Sequence, residues 1–248
     1  MAASSYFPIG GKYGGDDIEA GNALYPGISA TENDLRLGFI RKVFGLVSCQ
    51  LALTAAVALF LVLNPPLQHA MASSLAIQLT LMLVSIAGLI PLYIYKDRHP
   101  LNLGLLALWT LVFSTTVGMA CTFYAPIIVV QAVVITAATV TALTVYTFAA
   151  TRRGQQFTWL GPILYTGLWT LIFWGLIQLI FRPGPLGQTV YSLVGALLFC
   201  GYIIFDVHVL ATRLDVDDYI WGSVALYLDI INLFMYILRI LGNNSNNN

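Results

Sequence analysis

The sequence predicts an all-α membrane protein, a seven-transmembrane-helix bundle. Composition is the first reason: of 248 residues, 58% are hydrophobic and only 9% are charged, where a soluble domain carries about 25% charged residues. The mean hydropathy of +0.82 agrees. The second reason is how the charges punctuate the chain. None lies between Lys42 and Lys96, between Arg98 and Arg152, between Arg153 and Arg182, or between Arg182 and Asp206. A span needs about 20 apolar residues to cross a hydrocarbon core of about 30 Å. Lipid cannot satisfy the backbone of an open strand, so each such stretch must be a helix.

The elements follow in order. Residues 1–30, with Gly10, Gly11, Gly14, Gly15, Pro8 and Pro26, are expected to be a disordered N-terminal segment. They hold no basic stretch followed by an apolar one, so no cleaved signal peptide is expected and the first span targets the chain. Thr31 is placed as an N-cap with the Asp34 carboxylate three residues on. Leu35, Leu37, Phe39 and Ile40 with Arg36, Arg41 and Lys42 then suit either an interfacial helix or a plain basic flank. Spans are expected at roughly 43–63, 73–95, 101–121, 126–149, 158–181, 189–212 and 220–241. Asn64-Pro65-Pro66 and Tyr124-Ala125-Pro126 split the two longest charge-free stretches. Short connections make consecutive helices antiparallel neighbours in one bundle. The seven-helix domain is bounded at 31–242, and 243–248 is an Asn-rich tail whose Asn243-Asn244-Ser245 sequon sits against the last span. That span carries Asp229 and either crosses completely or re-enters.

Orientation comes from Lys/Arg asymmetry. Arg36, Arg41 and Lys42 precede span 1, Lys96 and Arg98 follow span 2, Arg152 and Arg153 follow span 4, and Arg213 follows span 6; the alternate loops hold only Arg182. The N-terminus is therefore expected in the cytosol.

Several functions are excluded. Eleven basic residues balance eleven acidic ones, so nothing points to nucleic acid as a partner. Cys49, Cys121 and Cys200 all lie in apolar runs and form no disulfide framework. There is no CxxC, Walker loop or GxGxxG. No cofactor is expected.

The informative residues are Asp206 and Asp229, because the other acids lie in the N-terminal segment or in loops. An ionised carboxylate at a helix centre costs about 2.5–3.5 kcal/mol on insertion scales, so each should face the bundle interior and have a partner. Spans 6 and 7 form a hairpin around Arg213–Asp218. Asp206 is seven residues before it and Asp229 eleven after it. At about 1.5 Å per residue the two differ in depth by about 6 Å. Neighbouring antiparallel helices can bring such carboxyls together, where they would share one proton and titrate as a pair. Protonated, the pair ties the helices; deprotonated, repulsion loosens them or a hard cation such as Ca²⁺ replaces the proton. Asn232, three residues from Asp229, shares its face. The bland reading is that each Asp is locally hydrogen-bonded. His208 lies about 200° round the helix from Asp206 and is assigned to the interface. Arg239 is expected to snorkel. Trp109, Trp159, Trp169, Trp174 and Trp221 read as interface belt or packing. Ser48, Ala52 and Ala56 are spaced for close packing of span 1.

Three blocks carry a family resemblance: Gly195-Ala-Leu-Leu-Phe-Cys-Gly-Tyr-Ile-Ile-Phe-Asp206, Asp218-Tyr-Ile, and Ala225-Leu-Tyr-Leu-Asp229-Ile-Ile-Asn232 through Gly242. In order and spacing they resemble the C-terminal signature of the BAX inhibitor motif family, and most closely its Lifeguard branch. Phe39-Ile-Arg-Lys-Val-Phe44, His99-Pro-Leu-Asn102 and Thr144-Val-Tyr-Thr-Phe148 agree, so the resemblance covers about 31–242. It implies the BAX inhibitor motif fold and a pH-sensitive Ca²⁺ leak in an internal membrane (ER, Golgi or vacuole), associated with suppression of cell death. It maps the family's paired aspartates onto Asp206 and Asp229. It also implies an arginine near span 2 that engages them. Span 2 itself holds none, and Arg98, just beyond it, is the candidate. Ca²⁺ enters as the transported ion, with a seat near Asp206 and Asp229.

Other functions compete. A non-conducting regulator would act by binding membrane proteins of cell-death or Ca²⁺-release pathways. A proton-coupled exchanger would use the same pair. A seven-helix receptor fits the helix count alone. An intramembrane aspartyl protease needs Tyr-Asp and Gly-x-Gly-Asp, but Phe205 precedes Asp206 and Leu226-Tyr227-Leu228 precedes Asp229. No enzyme is expected.

Overall fold

Proline and polar breaks between long apolar stretches produce nine helices among the described residues. The computed structural model describes residues 23–181 and 184–245. The helices are α1 (Ala30–Leu63), α2 (Pro65–Ala72), α3 (Leu75–Ala87), α4 (Leu89–Ile94), α5 (Leu101–Cys121), α6 (Pro126–Arg152), α7 (Leu160–Ile180), α8 (Pro185–Thr212) and α9 (Tyr219–Ser245). With α3 and α4 taken together, seven segments are long and apolar enough to cross a membrane, and no strand occurs among the described residues. The chain is an integral multi-pass membrane protein built as a seven-span helix bundle.

Helix α1 has 34 residues, about 51 Å at 1.5 Å per residue. It outruns the hydrocarbon core, and the basic flank Arg36, Arg41, Lys42 continues span 1 without a break. Its N-cap is Ser29, not Thr31: Ser29 is extended and its Oγ accepts from the Glu32 N–H at 3.3 Å. The Ser-x-x-Glu register begins two residues earlier than the Thr31 assignment, because the chain just before it is already pinned. Leu24 N–H donates to Asn33 Oδ1 at 3.0 Å and Tyr25 OH to Glu32 Oε1 at 2.9 Å. Leu24 and Ile28 are buried in the core. Residues 23–29 are therefore packed against the bundle, which corrects the boundary of the disordered segment. Residues 1–22, 182–183 and 246–248 lie outside the described residues, Arg182 among them.

Asn64 closes α1, its side-chain amide donating to Phe60 O at 2.6 Å, and Pro65 and Pro66 open α2, where the missing N–H groups cost nothing. This short helix replaces the plain loop expected between spans 1 and 2. Span 2 is itself interrupted at Gly88. Pro91 has no N–H for the Ala87 carbonyl, which weakens the helix there, and the Trp109 indole N–H donates to Ser85 O at 2.8 Å across the break. A Cβ on Gly88 would lie 2.8 Å from Trp109 Cδ1, so glycine allows that approach. Trp109→Phe is expected to keep the ring packing on Phe113 but leave the Ser85 carbonyl short of a donor, at a cost of about 1–3 kcal/mol. Thermal unfolding in detergent micelles reads this as a lowered Tm.

The core sits around α9, which packs on α8, α6, α1 and, more lightly, α5. Val224, Leu226, Tyr227, Leu233 and Leu238 on it are fully buried. The neighbours are not simply consecutive: α5 packs mainly on α1 and α3, and α6 mainly on α8 and α9. Burying α9 at the centre requires the earlier spans to surround it, which strict sequential pairing would not allow. Helix α7 packs on α8 and presents Ile163, Phe173, Leu176 and Ile177 outward, as a lipid-facing helix does. The last span crosses completely. Helix α9 is unbroken over 27 residues, and Gly242 near its end meets Tyr124 in the α5–α6 turn, at the opposite end from Arg36 and Lys96.

Candidate functional site

Helices α8 and α9 make the most extensive helix pairing in the bundle. Small residues let them approach: a Cβ on Gly195 of α8 would fall 2.5 Å from Tyr236 Cζ on α9. On this seam Asp206 and Asp229 face each other within hydrogen-bond reach. Asp229 is buried at 6% exposure and Asp206 is partly buried. Asp229 Oδ2 is buried without a hydrogen-bond partner. Two carboxyls at this separation hold together only while a proton lies between them. One turn before Asp206 on α8, Tyr202 donates its OH to Leu164 O on α7 at 2.9 Å.

The supporting residues are arranged otherwise than their sequence positions suggested. Asn232 turns its amide back onto its own helix, donating to Leu228 O at 2.8 Å. This is the ordinary local solution for a polar residue in an apolar helix. Arg98 does not engage the pair: it is exposed, in the loop after α4, with its guanidinium 5.3 Å from the Tyr95 ring. Asp206 lies six residues inside the end of α8 and Asp229 ten inside the start of α9, too deep for a loop arginine to reach. His208 lies one turn from the end of α8, at the basic end of the bundle, and is buried there at 2%, with Nδ1 3.1 Å from Thr151 Oγ1 and its ring against Phe157. Arg239 lies 5.8 Å from the Tyr191 ring, toward the opposite end of α9.

Two polar groups were not singled out from the sequence. At the basic end of the bundle, Lys96 pairs with Asp218, joining the α4–α5 loop to the α8–α9 turn. Hydrogen bonding to Asp218 holds the Lys96 ammonium above its ordinary pKa. Asn102 braces this contact, donating to Lys96 O at 2.7 Å and to Tyr219 OH at 3.0 Å, while Lys42 Nζ sits 3.2 Å over the Tyr219 ring. Arg36 donates to Leu210 O at 3.4 Å and Leu214 O at 3.1 Å, covering carbonyls at the end of α8. The second group is deep in the bundle. Gln50 Nε2 donates to Thr110 Oγ1 at 3.1 Å, and Thr54 Oγ1 lies 2.8 Å from Ser114 Oγ and 2.7 Å from Tyr227 OH. The signal for it was available: Gln50/Thr54 and Thr110/Ser114 are both i, i+4 pairs, each on one face of an otherwise apolar helix.

A seven-span bundle with a carboxyl pair between its last two long helices defines the class, an integral multi-pass membrane protein. The comparisons identify which. A family model described as "Inhibitor of apoptosis-promoting Bax1" matches residues 36–246, and the chain belongs to that family. It is similar to the "BI1-like protein" of Arabidopsis thaliana, 48% identical over 233 residues that cover 93% of this chain and 91% of that protein. It is also similar to "Protein LIFEGUARD 3" of Arabidopsis thaliana, 40% identical over 237 residues covering 92% and 95%. A third relative is the "Golgi anti-apoptotic protein" of Vaccinia virus (strain Lister), 37% identical over 226 residues covering 91% and 92%. The Lifeguard branch is the right neighbourhood for this chain.

Proposed function

We propose that this protein is a pH-sensitive Ca²⁺ leak of an internal membrane that restrains cell death, with Asp206 and Asp229 as its latch. The observation that carries the reading is the facing of a buried and a partly buried carboxyl across the α8–α9 seam, the buried one with an unpartnered oxygen. With a proton between them the carboxyls tie α8 to α9. Once both ionise they repel, by about 4 kcal/mol at 4 Å and an effective dielectric of 20. That exceeds the net worth of a hydrogen bond, about 1 kcal/mol, so loss of the proton decides whether the seam stays shut. Ca²⁺ is the cargo. Two carboxylates are too few to hold it as a resident ion, and carboxylate plus water oxygens suit a hard cation in transit. The basic end, with Arg36, Lys96 and Arg213, is assigned to the cytosol by its charge. The anti-apoptotic name of the viral relative supports the cell-death role and an endomembrane location.

The test is Ca²⁺ flux into liposomes holding the purified protein, across pH 5 to 8, beside Asp206→Asn and Asp229→Asn. Flux is expected to rise with pH in the parent and to lose that dependence in either variant. A pH response that survives both substitutions excludes the latch. No flux above empty liposomes at any pH replaces the leak with a non-conducting regulator that acts through other membrane proteins.

A further inference from the structure

Helix α9 is held at one depth from two sides. Asp229 meets α8 on one side. Tyr227, two residues earlier and therefore about 200° round the helix and about 3 Å away in depth, meets α1 and α5 on the other. Tyr227 is fully buried, its ring edge-on to Trp109 and Phe113 at 5.8 Å from each. Its hydroxyl touches Thr54, which also touches Ser114. Proton accounting shows how closed this junction is. Thr54 Oγ1–H donates to Gln50 O at 2.8 Å, which uses its only proton. Tyr227 and Ser114 must then each donate to the two Thr54 lone pairs, and Thr54 is saturated. All three side chains are at most 5% exposed, so water does not compete for these bonds.

We propose that Tyr227, Thr54 and Ser114 form a hydroxyl junction that positions α9 for the carboxyl latch and sets the pH at which the latch opens. Any movement of α9 away from α8 must slide or turn Tyr227 against Thr54. The junction is intact where the carboxyls meet, so it favours the shut state. Tyr227 is a positioning residue here, acting on the ion path only through Asp229. No other charge confuses this assignment. Within two turns of Asp206 on α8 the titratable side chains are Cys200, Tyr202 and His208, the last on the opposite face; α5 and α7 carry no charged residue, and the charges of α1 and α6 sit at the basic end, Arg36 on the Leu210 and Leu214 carbonyls, Lys42 over the Tyr219 ring and Arg152 at the end of α6. The inference rests on the leak reading and deepens it.

Tyr227→Phe removes one hydroxyl and keeps the ring, so packing on Trp109 and Phe113 survives. Losing one buried hydrogen bond should weaken the shut state about fivefold. The shut state is the one that binds the proton, so weakening it means more protons are needed to close. The midpoint of the flux–pH curve should therefore move to lower pH, by about 0.7 unit for one coupled proton, with the plateau flux unchanged. Thr54→Val should give a shift of the same sign, Thr54→Ser should retain the parent midpoint, and Tyr227→Phe with Thr54→Val should shift little more than Thr54→Val alone. Thr54→Ser against Thr54→Val decides the matter even if Tyr227→Phe does not fold. If parent flux titrates and both Asp→Asn variants abolish the titration, yet neither Tyr227→Phe nor Thr54→Val moves the midpoint, the junction has no positioning role and the latch stands alone. A shift in plateau flux with no change in midpoint also overturns the inference, because that is what a structural defect produces. If the parent itself shows no pH-dependent flux, the leak reading falls first and this inference with it.

Discussion

Asp206→Lys is expected to lock the leak shut at every pH between 5 and 8. The substitution puts an ammonium where the structure has a carboxyl facing buried Asp229, and turns proton-dependent attraction into a standing ion pair. The parent pair repels when its proton leaves; the Lys–Asp pair attracts over the whole range, because neither partner changes charge there once they are joined. A lysine at this depth would cost about 2.5–3.5 kcal/mol alone, but Asp229 Oδ2, otherwise unpartnered, receives it. Asp206→Asn removes the pH dependence without this clamp. The two variants should therefore separate: both flat in pH, with the lysine variant at the lower flux. Liposome flux measured on both side by side checks this. A lysine variant that conducts like the parent, with the parent's pH dependence, would show that the α8–α9 seam is not where the path opens.

The seven spans and the carboxyl pair could be read from the sequence because both rest on strong local constraints. Charge-free stretches of span length, punctuated by Pro65-Pro66 and Pro126, admit few alternatives in a bilayer. Two aspartates flanking one short turn have a depth set by helical rise alone, and the structure brings them together as that arithmetic implied. What could not be read required tertiary knowledge. The central place of α9 depends on which apolar faces meet, and spans that are apolar on all sides carry no periodic signal to say so. Arg98 is the candidate for the arginine that the resemblance implies beside the aspartate pair, but a residue near in sequence to a span end can still lie in the wrong plane. Conversely, Lys96 and Asp218 were counted as loop charges and form a contact between loops 122 residues apart in sequence. The Thr54–Ser114–Tyr227 junction joins three helices, none of which is sequentially adjacent in the bundle. Ser29, rather than Thr31, starts α1 because Leu24 and Ile28 are drawn into the core, an effect no local capping rule contains.

Gly195→Leu is expected to be the most destabilising single change on this seam. Gly195 lies eleven residues before Asp206 on α8, three helical turns away on the same face at about 3.6 residues per turn. A Cβ there would stand 2.5 Å from Tyr236 Cζ and 2.7 Å from Cδ1, well inside van der Waals contact. Tyr236 cannot simply swing aside: its ring stacks on Phe199 at 5.8 Å, and it touches Tyr191 both ring to ring and through a hydroxyl contact at 3.4 Å. Either the ring leaves that cluster or α8 and α9 separate. Overpacking of this kind costs about 1–3 kcal/mol, occasionally more, and a branched side chain against an aromatic ring belongs at the upper end. Thermal unfolding of the purified protein in micelles should show a clear loss of Tm. Combining the change with Tyr236→Ala tests the cause, because removing the ring makes room for the leucine. The double variant should be more stable than the sum of the two single losses predicts, by at least 1 kcal/mol for a contacting pair. Simple additivity would mean that the two side chains do not meet, and that the close approach of α8 to α9 which sets the carboxyl pair has some other origin.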